Sequence, residues 1–395
     1  MFWFWATNYN VMLAMDLAFW VTAIRLAKGK VWRIMVTVFV AAQLAGLVSM
    51  MAGYDWVPHG PKGLLVAVIV WHYSEVIALP LFLVSLGCFR IFRRISRNRG
   101  LRASPPPAAS KIENPVGRRE FIGTCAAMAP PFFTVGMTGF ALAQLSSFRV
   151  RRFKLPIHSL PPALDGMTIA HVSDIHVGRM TCGRVLRTMV NTTNSLRTDL
   201  VLFTGDLINS ELSDLSEGIE LVRAMQGRYG QCMIEGNHDL FENGAEFVRR
   251  VKAAGVPLLL NESATCRVRG FPVQLFGLRW TGGGNQERDK ETPLQLGGLL
   301  RQRHHDAFPI LLSHHPHAFD AAARAGLPLT LAGHTHGGQL MFDKHHGVGP
   351  AMFRYWSGLY ERGNSKMIVS NGVGNWFPLR VNAPAEIVHI TLRGA

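Results

Sequence analysis

The sequence predicts an α/β domain, a four-layer αββα sandwich of two mixed sheets, preceded by an all-α transmembrane region. Three observations carry this expectation. The chain has 395 residues and is 48% hydrophobic, and the apolar excess sits before residue 146, in stretches near the ~20 residues needed to cross a bilayer. From about residue 165, short apolar runs alternate with amphipathic ones, the pattern of strands and helices in turn. Strands then dominate the C-terminal part, which suits two sheets packed face to face with helices outside.

The N-terminal spans run about Tyr9 to Ala27, Val31 to Ala52 and Gly63 to Phe89. A fourth, Phe121 to Leu145, contains Pro130-Pro131, which kinks or breaks a helix. The expected organisation is three transmembrane helices in 1–92, a basic Pro-rich linker in 93–119, a fourth apolar segment in 120–146 and a catalytic domain in 147–395. Arg25, Lys28, Lys30 and Arg33 lie between the first two spans, and Arg90, Arg93, Arg94, Arg97, Arg99 and Arg102 follow the third. The positive-inside rule then puts the N-terminus outside and the basic linker inside. The fourth segment delivers the catalytic domain to the extracytoplasmic face of the inner, cytoplasmic membrane. Gly117-Arg118-Arg119-Glu120-Phe121-Ile122 resembles a twin-arginine export signal, with Ala141-Leu142-Ala143 as a cleavage-like site. Arg149, Arg151, Arg152 and Lys154 argue against that direction, because such a cluster favours the inside. The net charge of +15 mostly flanks the spans, so anionic headgroups explain it better than nucleic acid, for which no module is recognisable. Asp16, His72 and Glu75 are polar groups within apolar stretches, either functional or helix–helix partners.

The catalytic part follows in order. Met167 to Ser173 is a strand, Gly183 to Leu196 a helix, Asp199 to Thr204 a strand and Ser213 to Met225 a helix. Tyr229 to Glu235 is a strand, and Ala245 to Ala254 a helix stopped by Gly255 and Pro257. Cys266 to Arg269 and Val273 to Leu278 are paired strands around Gly270-Phe271-Pro272. Phe308 to Leu312, Leu327 to Ala332, Met367 to Ser370 and Glu386 to Leu392 are the later strands. The five cysteines form no C-x-x-C pair; Cys232 and Cys266 are either a bridge or buried thiols.

Five short motifs stand at the ends of these strands, where open α/β sheets build their sites. They are Asp174-Ile175-His176, Gly205-Asp206, Gly236-Asn237-His238-Asp239, Ser313-His314-His315-Pro316 and Gly333-His334-Thr335-His336. Asp, Asn and neutral His suit divalent first-row metals. Two such ions about 3.5–4 Å apart can clamp the attacking and leaving oxygens of a phosphoryl displacement. One carboxylate then has to bridge them, and Asp206, alone in its Gly-Asp turn, is the candidate. In the fourth motif His314 directly follows the strand, although His315 and His317 are adjacent and could take its place.

This order of motifs resembles the calcineurin-like metallophosphoesterases over roughly residues 165 to 392. It is similar to the membrane-linked bacterial branch of cell-wall phosphoesterases and acyl-glucosamine pyrophosphatases, as is the tail Asn371-Gly372-Val373-Gly374, Pro378-Leu379-Arg380 and Ala383-Pro384-Ala385-Glu386-Ile387. The resemblance implies that Asp174, His176 and His336 bind one metal, that Asp206 bridges, and that Asn237, His314 and His334 complete the second site. His238 would stabilise or protonate the leaving oxygen, oriented by Asp239, and a metal-bridging hydroxide would attack. The implied cofactors are two divalent ions, Mn, Fe or Zn, with Co or Ni also suited. The implied substrate is a phosphorylated lipid, glycan or nucleotide-linked compound. Two alternatives stand beside this reading: a UDP-2,3-diacylglucosamine pyrophosphatase of lipid A biosynthesis, which needs a cytoplasmic catalytic domain, and a non-catalytic membrane receptor or scaffold.

Other features remain open in sequence. Thr281 to Ala307 and Met341 to Ser365, with Phe353, Tyr355, Trp356 and Tyr360, either cap a pocket or are surface loops. Arg380 either binds phosphate or is solvated. His171 is a packed core histidine, and His304, His305, His345 and His346 belong to the surface or to a site's outer layer.

Overall fold

The computed structural model describes residues 2–51, 62–75, 91, 117–282 and 285–395. The chain divides into two compact units, Met1–Leu142 and Ala143–Ala395. In the first, α1 (Phe2–Leu26) and α2 (Lys30–Met51) are joined by Gly29. Residues 62–75 form α3, and α4 covers Arg118–Gln144. Among the described residues, three stretches, Tyr9–Leu26, Lys30–Ser49 and Glu120–Gln144, are long and apolar enough to cross a membrane. The expected third span is helical over 63–75, and its remainder, like the Pro-rich linker, lies outside the described residues.

Two findings here differ from, or decide between, the expectations. α4 runs unbroken through Pro130 and Pro131. Thr134 donates its hydroxyl to the Pro130 carbonyl at 3.0 Å, one turn on from the prolines, whose missing N–H groups leave the Ala126 and Ala127 carbonyls without their usual helical donors. Asp16 and His72 are helix partners: Asp16 accepts from Trp71 Nε1 at 2.6 Å and lies 3.1 Å from His72 Nε2. All three are buried.

The second unit is built on eleven strands among the described residues. Its first sheet contains β1 (Arg149–Ile157), β2 (Thr168–Val172), β3 (Leu200–Thr204), β4 (Gln231–Ile234) and β11 (Glu386–Gly394), in the order β1-β11-β2-β3-β4. β2, β3 and β4 are parallel, while β11 is antiparallel to β2. The second sheet contains β5 (Glu262–Val268), β6 (Phe271–Gly277), β7 (Phe308–Leu312), β8 (Leu329–Ala332), β9 (Gly358–Arg362) and β10 (Ser365–Val369), in the order β5-β6-β7-β8-β10-β9. β6, β7, β8 and β10 are parallel, and the two edge strands are antiparallel.

Period-two alternation explains the layering. Ile169, Leu200, Leu202, Ile234, Ile310, Leu312, Leu331 and Ile390 meet in one apolar core between the sheets. Their neighbours Ala170, Val172, Val201, Phe203 and Met233 face outward onto α5 (Arg184–Ser195), α6 (Leu215–Ala224) and α7 (Gly244–Ala253). On the far side, Phe276 and Leu311 pack on α8 (Asn285–Leu300) and α9 (Ala318–Arg324). The strands are therefore buried on both faces, as parallel sheets require.

The hairpin between β5 and β6 is tighter than expected. Its turn is Arg269-Gly270, with φ of 50° and 82°, the left-handed pair of a type I′ turn. Phe271 and Pro272 already belong to the strand, and pairing with β7 begins only at Val273, so the missing N–H of Pro272 costs no bond on that side. β1 and β9 were not anticipated. In β1, Phe153, Leu155 and Ile157 alternate toward the core, but the intervening Arg and Lys residues hide the pattern. Those charges have a structural use. Arg149 donates Nη2 to the buried Glu386 carboxylate at 2.8 Å, and Arg151 lies 3.4 Å from the same group. Cys232 and Cys266 are free thiols.

Leu202 is fully buried between the sheets whereas Leu294 is 76% exposed. Leu202→Ala is expected to lower the unfolding free energy by about 2–5 kcal/mol. Leu294→Ala should change it by no more than about 0.5 kcal/mol. Denaturant titration followed by tryptophan fluorescence measures both.

Candidate metal centre

The first three motifs leave the C-terminal ends of β2, β3 and β4, and the last two leave β7 and β8. The candidate ligands therefore come from both sheets, and the centre lies where the C-terminal ends of strands from the two packed sheets meet. Asp174, His176, Asp206, His334 and His336 all have left-handed backbones, with φ between 48° and 71°. This region is sparsely populated by residues with a Cβ. Here it turns each strand abruptly, so that successive ligands of a motif aim at one point. Gly205 and Gly236 make the close approach possible: a Cβ on Gly205 would meet Gly236 N and His314 Nδ1 at 2.7 Å, and one on Gly236 would overlap the Asp206 carboxylate.

The side chains form three linked trios: Asp174, His176 and His336; His176, Asp206 and His238; and Asp206, His314 and His334. In each, the ligand atoms lie within 4.8 Å of one another. His176 Nε2 and His336 Nε2 are 3.0 Å apart, and His336 Nε2 is 3.3 Å from Asp174 Oδ1. Asp206 Oδ2 stands between the groups, 3.6 Å from His176 Nε2 and 3.2 Å from His314 Nε2. Asn237 presents Oδ1 to His314 Nε2 at 3.2 Å. Such convergence of imidazole nitrogens and oxygens, with no apolar filling between them, fits divalent cations.

Hydrogen bonds fix this array from behind. The His238 amide donates to Asp206 Oδ1 at 2.8 Å, and the His334 amide to Asp174 Oδ1 at 3.0 Å. His314 Nδ1 lies 2.6 Å from the Thr204 carbonyl, so that nitrogen carries a proton and Nε2 is the one turned to the site. A chain from His171 Nε2 to Thr204 Oγ1 (2.8 Å), Ser173 Oγ (2.7 Å) and Asp174 Oδ2 anchors the first carboxylate. His171 is thus the core histidine expected, and burial pushes its pKa down to about 3.

Electrostatics follow from burial. Burial holds His176, His334 and His336 well below the usual imidazole range, so they stay neutral, the form that binds metal. Burial pushes Asp174 up to about 6 and, with the Asp206 charge, Asp239 up to about 8. Burial also opposes ionisation of Asp206, but His314, His176 and His238 outweigh it and hold the carboxyl well below its ordinary value. His314 is the reciprocal case: burial is overcome by Asp206 and Asp174, and its pKa rises to about 9.

The structure corrects one role and settles several alternatives. Asp239 does not orient His238. Its buried carboxylate accepts the Gly236 and Ile208 amides at 2.9 and 3.1 Å, bracing the loop. The partner of His238 is the Asn209 carbonyl, 2.6 Å from Nδ1, a contact that sequence spacing could not reveal. His314 joins the trios; His315 and His317 instead face each other, Nδ1 to Nδ1, at 2.9 Å. Arg380 is buried. It donates to the carbonyls of Asn371 and Gly374 at 2.8 and 2.6 Å, and to His336 Nδ1 at 2.9 Å. It binds no phosphate from there. In the second open segment, Tyr355 is tied to Asp320, and Tyr360 accepts the Trp356 amide. Phe353 alone of those four aromatics lies against His334, at 5.9 Å between ring centroids. Trp280 and Trp376 were missed altogether. Their rings lie 5.0 Å from His334 and 6.0 Å from His238, and their only sequence signal is proximity to Gly277 and to the Asn371–Gly374 run.

Fold and site together define a metal-dependent phosphohydrolase. The chain belongs to the calcineurin-like phosphoesterase family, whose model matches residues 167–338. It is similar to a Danio rerio transmembrane protein with metallophosphoesterase domain, 27% identical over 382 residues, which span 92% of this chain and 81% of that protein. It is also similar to the uncharacterised Bacillus subtilis metallophosphoesterase YkuE, 30% identical over 295 residues, 70% of this chain and 98% of that one. An uncharacterised metallophosphoesterase of Campylobacter jejuni is 30% identical over 60% of this chain and 61% of its own length. With its apolar helices and transmembrane relatives, this is a membrane protein.

Asp206→Asn and His334→Ala are each expected to remove at least one equivalent of bound metal while circular dichroism stays unchanged. Gly236→Ala should do the same without touching a ligand, by displacing Asp206. Elemental analysis of the purified variants decides.

Proposed function

We propose that the protein hydrolyses a phosphate ester or diester at a centre of two divalent ions held on either side of Asp206. Asp174, His176 and His336 would hold one ion, and Asn237, His314 and His334 the other. The observation that carries this reading is the position of Asp206 Oδ2, within 3.6 Å of His176 and 3.2 Å of His314. Mn, Fe or Zn best suits the mixed nitrogen and oxygen set, and Co or Ni is compatible with it. When bound, two such ions polarise phosphoryl oxygens and activate water near neutral pH.

The chain's own residues supply the rest. Hydrolysis breaks the bond between phosphorus and the leaving oxygen, which then needs a proton. His238 is placed to give it. Its Nδ1–H is committed to Asn209, so Nε2 is where a proton is gained and lost. Its ring stands at right angles to His176, with centroids 4.5 Å apart. Phe241 and Trp376 flank it at 4.4 and 6.0 Å, limiting its motion and excluding water from one side. A non-catalytic scaffold reading does not account for a complete set of converging ligands.

We further propose a multi-pass protein of the cytoplasmic membrane with the catalytic domain on the extracytoplasmic face, in keeping with the basic residues after the first and third apolar stretches. A phosphorylated lipid or glycan of the envelope is the substrate class in keeping with that placement. The lipid A pyrophosphatase alternative requires the opposite side.

His238→Ala should keep its metal and lose about 10²–10⁴-fold in rate on an aryl phosphodiester. An unchanged rate would remove the proton-donor role. A C-terminal alkaline phosphatase fusion should be active, and a C-terminal green fluorescent protein dark when exported unfolded. The reverse result would place the domain in the cytoplasm and favour the pyrophosphatase.

A further inference from the structure

Trp280 leaves β6 beside the metal-binding ends of β7 and β8. Its ring lies 5.0 Å from His334 and 5.4 Å from His314. The Arg288 guanidinium lies over the same ring, with Cζ 4.8 Å from its centroid, a cation–π geometry. Nε of Arg288 donates to the Thr281 carbonyl at 3.4 Å, which leaves its terminal nitrogens uncommitted to any carboxylate among the described residues. Other arginines nearby are spoken for. Arg279 pairs with Glu235, and Arg354 and Arg362 share Asp320. Arg288 is half-buried, and burial lowers its pKa. Desolvation with no acidic partner is costly for a guanidinium, and an arriving anion offsets that cost. Thr281, Thr292, Gln295 and His317 line a recess of about 10 Å³ beside it, room for a water and not for a phosphate, so the anion meets the guanidinium from its exposed side.

We propose that Arg288, stacked on Trp280, forms a distal oxyanion subsite that receives a second phosphate of the substrate beyond the one being hydrolysed. This rests on the phosphoesterase reading for the position of the scissile group. Trp280 touches both the guanidinium and the histidines, so Arg288 meets a group beside the phosphorus held at Asp206. The planar fork of an arginine suits two oxygens of a phosphate at once, and the indole beneath keeps that fork from folding away.

The test is calorimetric titration of the full-length, metal-loaded protein in detergent with adenosine monophosphate and with α,β-methylene adenosine diphosphate. The parent should bind the diphosphate analogue at least tenfold more tightly. Arg288→Ala should remove that preference and change monophosphate affinity by less than twofold. Arg288→Lys, which keeps the charge without the fork, should fall between them. Equal affinities in the parent, or an equal loss for both ligands in Arg288→Ala, would overturn the subsite. Separately, a protein that shows the expected preference yet hydrolyses no aryl phosphoester would overturn the phosphoesterase reading and leave the subsite standing.

Discussion

The centre depends on one carboxylate at the seam of two sheets. Asp206 leaves the first sheet at the end of β3, takes the His238 amide on one oxygen and turns the other toward His176 and His314. His314 arrives from the second sheet. The contact can form only when the apolar layer of Leu202, Ile234, Ile310 and Leu312 has closed between the sheets. Folding and site assembly are thus one event, because the residues that bury the core are separated by only two to four positions from those that line the site. The tight approach at Gly205 and Gly236 and the left-handed turns at five ligands are the local conformational costs of bringing both sheets to a single point.

Burial organises the chemistry as well as the stability. It keeps three histidines neutral and pushes Asp174 and Asp239 toward protonation. Asp206 escapes this trend only because it faces imidazoles. A site with three neutral histidines and one firmly ionised oxygen at its middle favours a cation there, which also displaces the proton that Asp206 keeps on His314.

Much of this was legible in the sequence, for identifiable reasons. A motif at the end of an apolar run reports both a strand and the direction in which its last residues point, so the β2, β3, β4, β7 and β8 motifs could be placed without coordinates. What escaped was whatever depends on a partner far along the chain. β1 was hidden because its arginines are explained only by Glu386, more than two hundred residues later. The role implied for Asp239 failed because the Asn209 carbonyl, a backbone group with no sequence signature, takes the imidazole. Pro130 and Pro131 argued for a break in α4, but the helix runs through both, forgoing the bonds that the Ala126 and Ala127 carbonyls would otherwise accept. Trp280 and Arg288 carry no motif, and only the fold brings them to the histidines.

Arg380 makes the two halves of the centre electronically unequal. The ring of His314 gives away its rear proton to a carbonyl, which enriches its front nitrogen. The ring of His336 instead accepts a hydrogen bond at Nδ1 from the Arg380 guanidinium, so in the neutral ring the proton sits on Nε2, facing Asp174 Oδ1 at 3.3 Å. Two imidazoles of the same type thereby present their protons in opposite directions, and Nε2 of His336 can grip a cation only after its proton has left.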